Sequence, residues 1–336
     1  MPTALPVLAA IPAAVPVLAA ISAAVPVLAE IPAAVPVGIA VGFLAAFLQS
    51  CSYLVSARYV RLSGRPAWTL LPPAYLLMAP AALALAAATL PFAQGPVPWR
   101  AALVPAAASV AFCLGSNAAM FKLLKSVDAS LASPMLGLKV PMLAAFYTFA
   151  LARPCTAAQW VAVAFVIAAT AALAVAGRRL SRESWGWLLA TCAGFSLADW
   201  LIGETFDAVA PAFPSFGPRA LFSLGFMYVL SAVPAAVALP FCPPLPRAGW
   251  LRWAAPYAAV WFAAMVALYA CFATCGVVLG NIVQNTRGLI SIALGWFVAR
   301  AGRTDLEERV SRAVLVRRVV AAALLLAAIA LYALGA

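Results

Sequence analysis

Histidine is absent from the 336 residues. Without an imidazole, a His-based catalytic triad, a His–metal site, a His-ligated haem and an imidazole proton relay are all excluded. Charge is scarce as well: 9% of residues are Asp, Glu, Lys or Arg, against ~25% in a soluble domain. Acidic residues are the rarer sign, nine against 21 basic. No DxxD, HxxxD or nucleophile–base set occurs, which argues against a membrane enzyme on lipid-linked substrates, and the chain is not expected to be an enzyme. The seven cysteines form no CxxC pair and fall mostly inside apolar runs. They read as small packing residues, and no metal or cofactor is expected.

What fills the chain instead is apolar: 67% of residues are hydrophobic, with a mean hydropathy of +1.06. That is the composition of an integral membrane protein. The net charge of +12 therefore does not point to nucleic acid, because the basic residues sit in short loops between apolar runs. About 20 apolar residues cross a bilayer as a helix. On that basis ten spans are expected, at 37–57, 67–91, 101–121, 129–151, 157–177, 185–204, 220–240, 253–274, 277–299 and 313–334. The second and third contain internal prolines. Trp68, Trp99, Trp160, Trp185, Trp250 and Trp253 fall at span ends, where amphipathic rings favour the interface.

The first 36 residues stand apart. They repeat a decapeptide of the form "IPAAVPVLAA" with prolines at 2, 6, 12, 16, 26, 32 and 36. A proline inside a helix costs ~3 kcal/mol, so this makes a poor spanning segment. It also lacks the basic start of a signal peptide. It reads as an extension outside the bundle, or as a Pro-rich segment lying against the membrane.

The remainder divides into 37–180 and 181–336. The segment "LQSCSYLV" (48–55) aligns with "FSLADWLI" (195–202) at an offset of 147, and the fourth and ninth spans align at 148, which sets Lys139 against Arg287. Five spans is an odd number, so the second half enters the membrane inverted. The expected fold is an all-α membrane protein of ten helices in two inverted five-helix repeats, with its site near the midplane. Of the 21 Lys and Arg, all but Lys139, Arg287, Arg100, Arg153 and Arg219 fall in or beside the loops after spans 1, 3, 5, 7 and 9. The positive-inside rule puts those loops in the cytoplasm and both termini outside.

Two cations lie at bilayer depth, where each costs ~2.5–3.5 kcal/mol even on lenient insertion scales and marks a functional site by default. Lys139 sits in "SPMLGLKVPMLAAF", interrupted by Pro134, Gly137 and Pro141. It lies ten residues from either span end, ~15 Å at 1.5 Å per residue, too far to snorkel. Arg287 lies among Asn281, Gln284, Asn285, Thr286 and Ser291. Asn281, Gln284, Gly288 and Ser291 recur at helical spacing and would line one face. A guanidinium beside amides suits phosphate or carboxylate; the alternative is interhelical hydrogen bonding that only holds the bundle together. Asp199 is either a proton-coupling group or the counter-ion of Lys139 or Arg287. Glu204 reads as solvated, and Asp128 as the N-cap of the fourth span. Gly115 and Ser116, and likewise Gly186 and Gly194, read as close helix contacts.

The run "SVDASLASPMLGLKVPMLAAF…LARPCTAAQWVAVAFVIAATAALA" resembles the fourth and fifth helices of the drug/metabolite transporter superfamily, of the ten-helix EamA-like kind. "NTRGLISIALGWFVAR" resembles its ninth helix. The likeness covers about 37–336. It implies ten helices, a transport activity and cytoplasmic termini, the reverse of what the loop charges favour. Lys139 is similar in place to the lysine that meets substrate phosphate in the nucleotide-sugar and sugar-phosphate branches. The expected function is a secondary transporter of a small polar, anionic metabolite, multi-pass in the plasma (inner) membrane. Its partners would be that small molecule, the bilayer, and a coupling proton or counter-substrate. A non-transporting assembly subunit is the alternative, and the polar stripe on the ninth span argues against it.

Overall fold

In hydrocarbon every backbone N–H and C=O must find its partner within the protein, so apolar runs of this length fold as helices. The computed structural model describes residues 35–123, 135–152, 154–174, 181–242, 250–300 and 312–334, and none of these is in a strand. The helices are α1 (Val35–Ser63), α2 (Leu71–Thr89), α3 (Trp99–Leu123), α4 (Lys139–Phe149), α5 (Ala157–Ala174), α6 (Arg182–Val209), α7 (Phe216–Ala238), α8 (Ala255–Cys275), α9 (Val277–Gln284), α10 (Arg287–Arg300) and α11 (Arg312–Leu334). Each expected span contains a helix, and the ninth contains two. The proline repeat, apart from Val35 and Pro36, and Asp128 lie outside the described residues.

Six stretches are long and apolar enough to cross a membrane: Val35–Ser56, Trp68–Phe92, Trp99–Leu123, Arg182–Val209, Phe216–Phe241 and Arg252–Cys275. The outer surface agrees with them. Val104 is 71% exposed, Val237 65% and Leu83 60%, an apolar face that water would not tolerate but lipid tails do. The chain is a multi-pass membrane protein. Prolines do not end its helices: α2 runs through Pro80, α3 through Pro105 and α7 through Pro234.

Four helix pairs make the most extensive contacts: α3 with α6, α1 with α8, α2 with α7, and α5 with α11. Small residues allow the closest approach. A Cβ built on Gly225 of α7 would lie 2.6 Å from the Ala82 carbonyl oxygen of α2, and one on Gly194 of α6 would collide with Ser116 of α3. Gly115 and Gly186, expected to act likewise, have nothing within 4 Å. At Gly276 the chain takes φ +79°, ending α8 and turning directly into α9. Only glycine adopts that conformation without strain.

Each of the two cations opens a helix. A 3-10 turn, Leu136–Leu138, precedes α4, so Lys139 is the first residue of its helix. Asn285 and Thr286 separate α9 from α10, so Arg287 is the first residue of its helix too. At this break the backbone bonds tighten to i→i−3, with Thr286 donating to Val283 at 3.0 Å and Leu289 to Thr286 at 3.0 Å. The turn before α4 meets the link between α9 and α10: a Cβ on Gly137 would collide with Thr170 and approach Asn285.

Candidate functional site: a buried ionic network

Ser50 of α1 and Ser196 of α6 fix the two cations in the same way. Ser50 Oγ lies 2.8 Å from the Ala46 carbonyl of its own helix and 3.1 Å from the carbonyl of Arg287. Ser196 Oγ lies 2.8 Å from the Cys192 carbonyl and 3.0 Å from that of Lys139. Each serine therefore ties a long helix to the first residue of another, α6 to α4 and α1 to α10. Both cations are deeply buried, at 5% exposure each.

The side chains differ in how they are satisfied. Lys139 Nζ donates to Asp199 Oδ2 at 2.9 Å and to Gln284 Oε1 at 2.7 Å. Gln284 Nε2 donates to Gln49 Oε1 at 3.0 Å, and Arg287 donates to the same Gln49 oxygen at 3.2 Å. One chain of hydrogen bonds thus runs Asp199–Lys139–Gln284–Gln49–Arg287. Aromatic faces complete it: the Lys139 ammonium is 6.0 Å from the Phe195 ring centre, and the Arg287 guanidinium 6.0 Å from that of Tyr53.

The charges do not cancel. Lys139 has a carboxylate, whereas no carboxylate pairs with Arg287 among the described residues, and its Nε is buried without a hydrogen-bond partner. Two cations and one anion leave the network a net positive charge. A buried guanidinium with unmet donors is costly unless something else supplies acceptors.

The network edges a cavity of about 80 Å³ whose polar lining is Gln49, Lys139, Asp199, Gln284 and Arg287 together with the hydroxyls of Ser109 and Ser231. The rest is apolar and aromatic, including Tyr53, Tyr75, Tyr228, Trp261 and Tyr269. α5 and α11 contribute no lining residue.

Lys139, Arg287, Gln284 and Asp199 thus come together as the sequence suggests. Three other candidates do not join them. Asn281 donates to the Val277 carbonyl of its own helix at 2.9 Å. Ser291 does not line the cavity, and Asn285 lies against Gly137. Of the expected polar stripe only Gln284 lines the cavity, and the stripe is interrupted at Asn285 and Thr286, between α9 and α10. Glu204 is half-buried and accepts the Trp200 indole N–H at 2.9 Å, not Lys139. Gln49 is the residue that sequence reasoning passed over. An amide in the middle of the first apolar run carries the same signal as Gln284. Tyr75, Tyr228, Trp261 and Tyr269 gave a weaker sign, as aromatic residues away from span ends.

No family model and no curated protein matches the sequence. A solved crystal structure, described only as that of a protein, superposes with a TM-score of 0.60 over 88% of this chain and 97% of the other, at 17% identity. At that identity the likeness is one of fold, and fold alone does not carry a substrate with it.

Proposed function

We propose that the chain is a secondary transporter of ten spans, built from two inverted five-helix halves, that moves a small anionic metabolite by alternating access. The observation that carries this reading is Arg287: a buried cation with no carboxylate among the described residues, facing a cavity beside the starts of α4 and α10. A protein using such a group only as glue would be expected to neutralise it, as Asp199 neutralises Lys139. Arg287 is assigned to the anionic group of the substrate. Lys139 and Gln284 orient it, and Asp199 is both counter-ion and the group at which a proton would compete with Lys139.

The packing supports the repeat. If α1 to α5 correspond to α6, α7, α8, α9–α10 and α11, then α3–α6 and α1–α8 are one contact seen twice, and α2–α7 and α5–α11 each pair a helix with its own counterpart. The serine bonds follow the same exchange. They pair Ser50 with Ser196 and Tyr53 with Asp199, an offset of 146 and one residue from the 147 suggested by sequence alone. Lys139 therefore faces an acid where Arg287 faces a tyrosine ring. This fits the resemblance to the drug/metabolite transporter superfamily, and the plasma membrane is the place we propose for it.

The test is uptake into proteoliposomes of labelled phosphate, glucose 6-phosphate or benzoate, each offered singly. At least one should accumulate above protein-free vesicles, and the Lys139→Ala/Arg287→Ala variant should lose roughly a hundredfold in rate, two charge-assisted contacts being removed. Full uptake by that variant, inserted in equal amount, overturns the site.

A further inference from the structure

The walls opposite Arg287 say more about the substrate than its charge does. Six rings line the cavity: Tyr53, Tyr75, Phe195, Tyr228, Trp261 and Tyr269. Three of their polar tips are joined in two bonds, the Trp261 indole donating to the Tyr228 hydroxyl at 2.7 Å and the Tyr269 hydroxyl to Met227 Sδ at 3.3 Å. The walls present mainly ring faces and edges, with the remaining tyrosine hydroxyls, Ser109 and Ser231 as the few polar points among them. A sugar or polyol body would set most of its hydroxyls against rings, a penalty a flat apolar body does not incur.

The polar wall is equally selective. Lys139 and Asp199 satisfy one another, so the network has one positive charge to offer, on Arg287. A guanidinium presents a planar fork that a carboxylate matches with two parallel hydrogen bonds. Lys139 already neutralises Asp199 through Oδ2, so an ammonium on the ligand would have to compete with Lys139 for that carboxylate. Size narrows the body further. An apolar cavity of ~150 Å³ holds a benzene, and this one is about 80 Å³. One ring enters only as Met227 and Met265, both in the lining, shift their flexible side chains; a fused pair of rings is too large.

Resting on the transport reading above, we infer that the substrate is a monocarboxylate with a single aromatic or similarly flat apolar body, its carboxylate on Arg287 and its ring among Tyr53, Tyr228 and Trp261. This excludes phosphorylated sugars and zwitterionic amino acids from the preferred class.

Binding to the purified full-length chain, followed by thermal shift and by tryptophan fluorescence, tests the inference with four probes: benzoate, benzamide, phenylalanine and glucose 6-phosphate. Benzoate should bind at least tenfold more tightly than each of the others. Arg287→Gln should weaken benzoate tenfold to a hundredfold, the range for a lost charge-assisted contact, and Tyr53→Leu should weaken it severalfold. Arg287→Lys, which keeps the charge without the fork, should recover only part of the loss and guards against a misfolded Gln variant. Equal binding of benzamide would overturn the carboxylate, and tighter binding of phenylalanine would overturn the exclusion of an ammonium. Arg287-dependent binding of glucose 6-phosphate in preference to benzoate would overturn the substrate class while leaving the anion transporter intact. Binding of no probe would also overturn the class, with transport itself then judged by the uptake experiment.

Discussion

Asp199, Lys139 and Arg287 share one network but stand in different energetic positions, and substitution separates them. Removing one member of a buried ion pair leaves the other uncompensated, a loss of about 3–5 kcal/mol. Asp199→Asn should therefore lower the unfolding midpoint sharply, whereas Lys139→Met with Asp199→Leu should come close to the parent. Arg287 has no such partner to strand. Arg287→Met should leave thermal stability unchanged or raised while abolishing ligand binding, the trade expected where a strained group is kept for function. A drop in midpoint as large as that of Asp199→Asn would make Arg287 a structural residue. These groups were legible in the sequence because ionisable side chains are rare and costly in apolar runs. Asn281, Asn285 and Ser291 lie outside the cavity lining, a placement not legible in the sequence because a 3-10 interruption of two residues carries no strong compositional mark. The pairing of Lys139 with Asp199 rather than Glu204 was beyond sequence, since it depends on how α4 meets α6 across 60 positions.

Between helices the tightest steric constraint falls on glycine. Gly225 touches backbone atoms of α2, which cannot swing aside, so Gly225→Ala should destabilise by about 1–3 kcal/mol as an overpacked contact. Gly186 faces open space, and Gly186→Ala should be neutral or stabilising by up to ~1 kcal/mol through helix propensity alone. Unfolding midpoints of the two variants in detergent check both, and a reversed order would refute the α2–α7 contact. Helix positions were largely legible, because length and hydropathy decide them. Which glycine matters was not: Gly194 and Gly225 are chosen by what faces them, and Gly115 and Gly186 look the same in sequence. The prolines inside α2, α3 and α7 do not interrupt them, as expected where neighbours satisfy the freed carbonyls of a membrane helix.

For the whole molecule, the account requires two halves that exchange the cavity between two sides of a membrane. An even number of spans puts both termini on one side; reporters fused to each terminus should agree, and the loop charges favour the outside. Reporters on opposite sides would contradict ten spans. Cys113 offers the most direct test of the central claim, because this native thiol lines the cavity beside the ionic network. In a chain retaining Cys113 as its only cysteine, a membrane-impermeant thiol reagent is applied to right-side-out and to inverted vesicles. Alternating access predicts labelling from both sides, slowed in both by a bound anion. Labelling from one side only, with or without the anion, would contradict it.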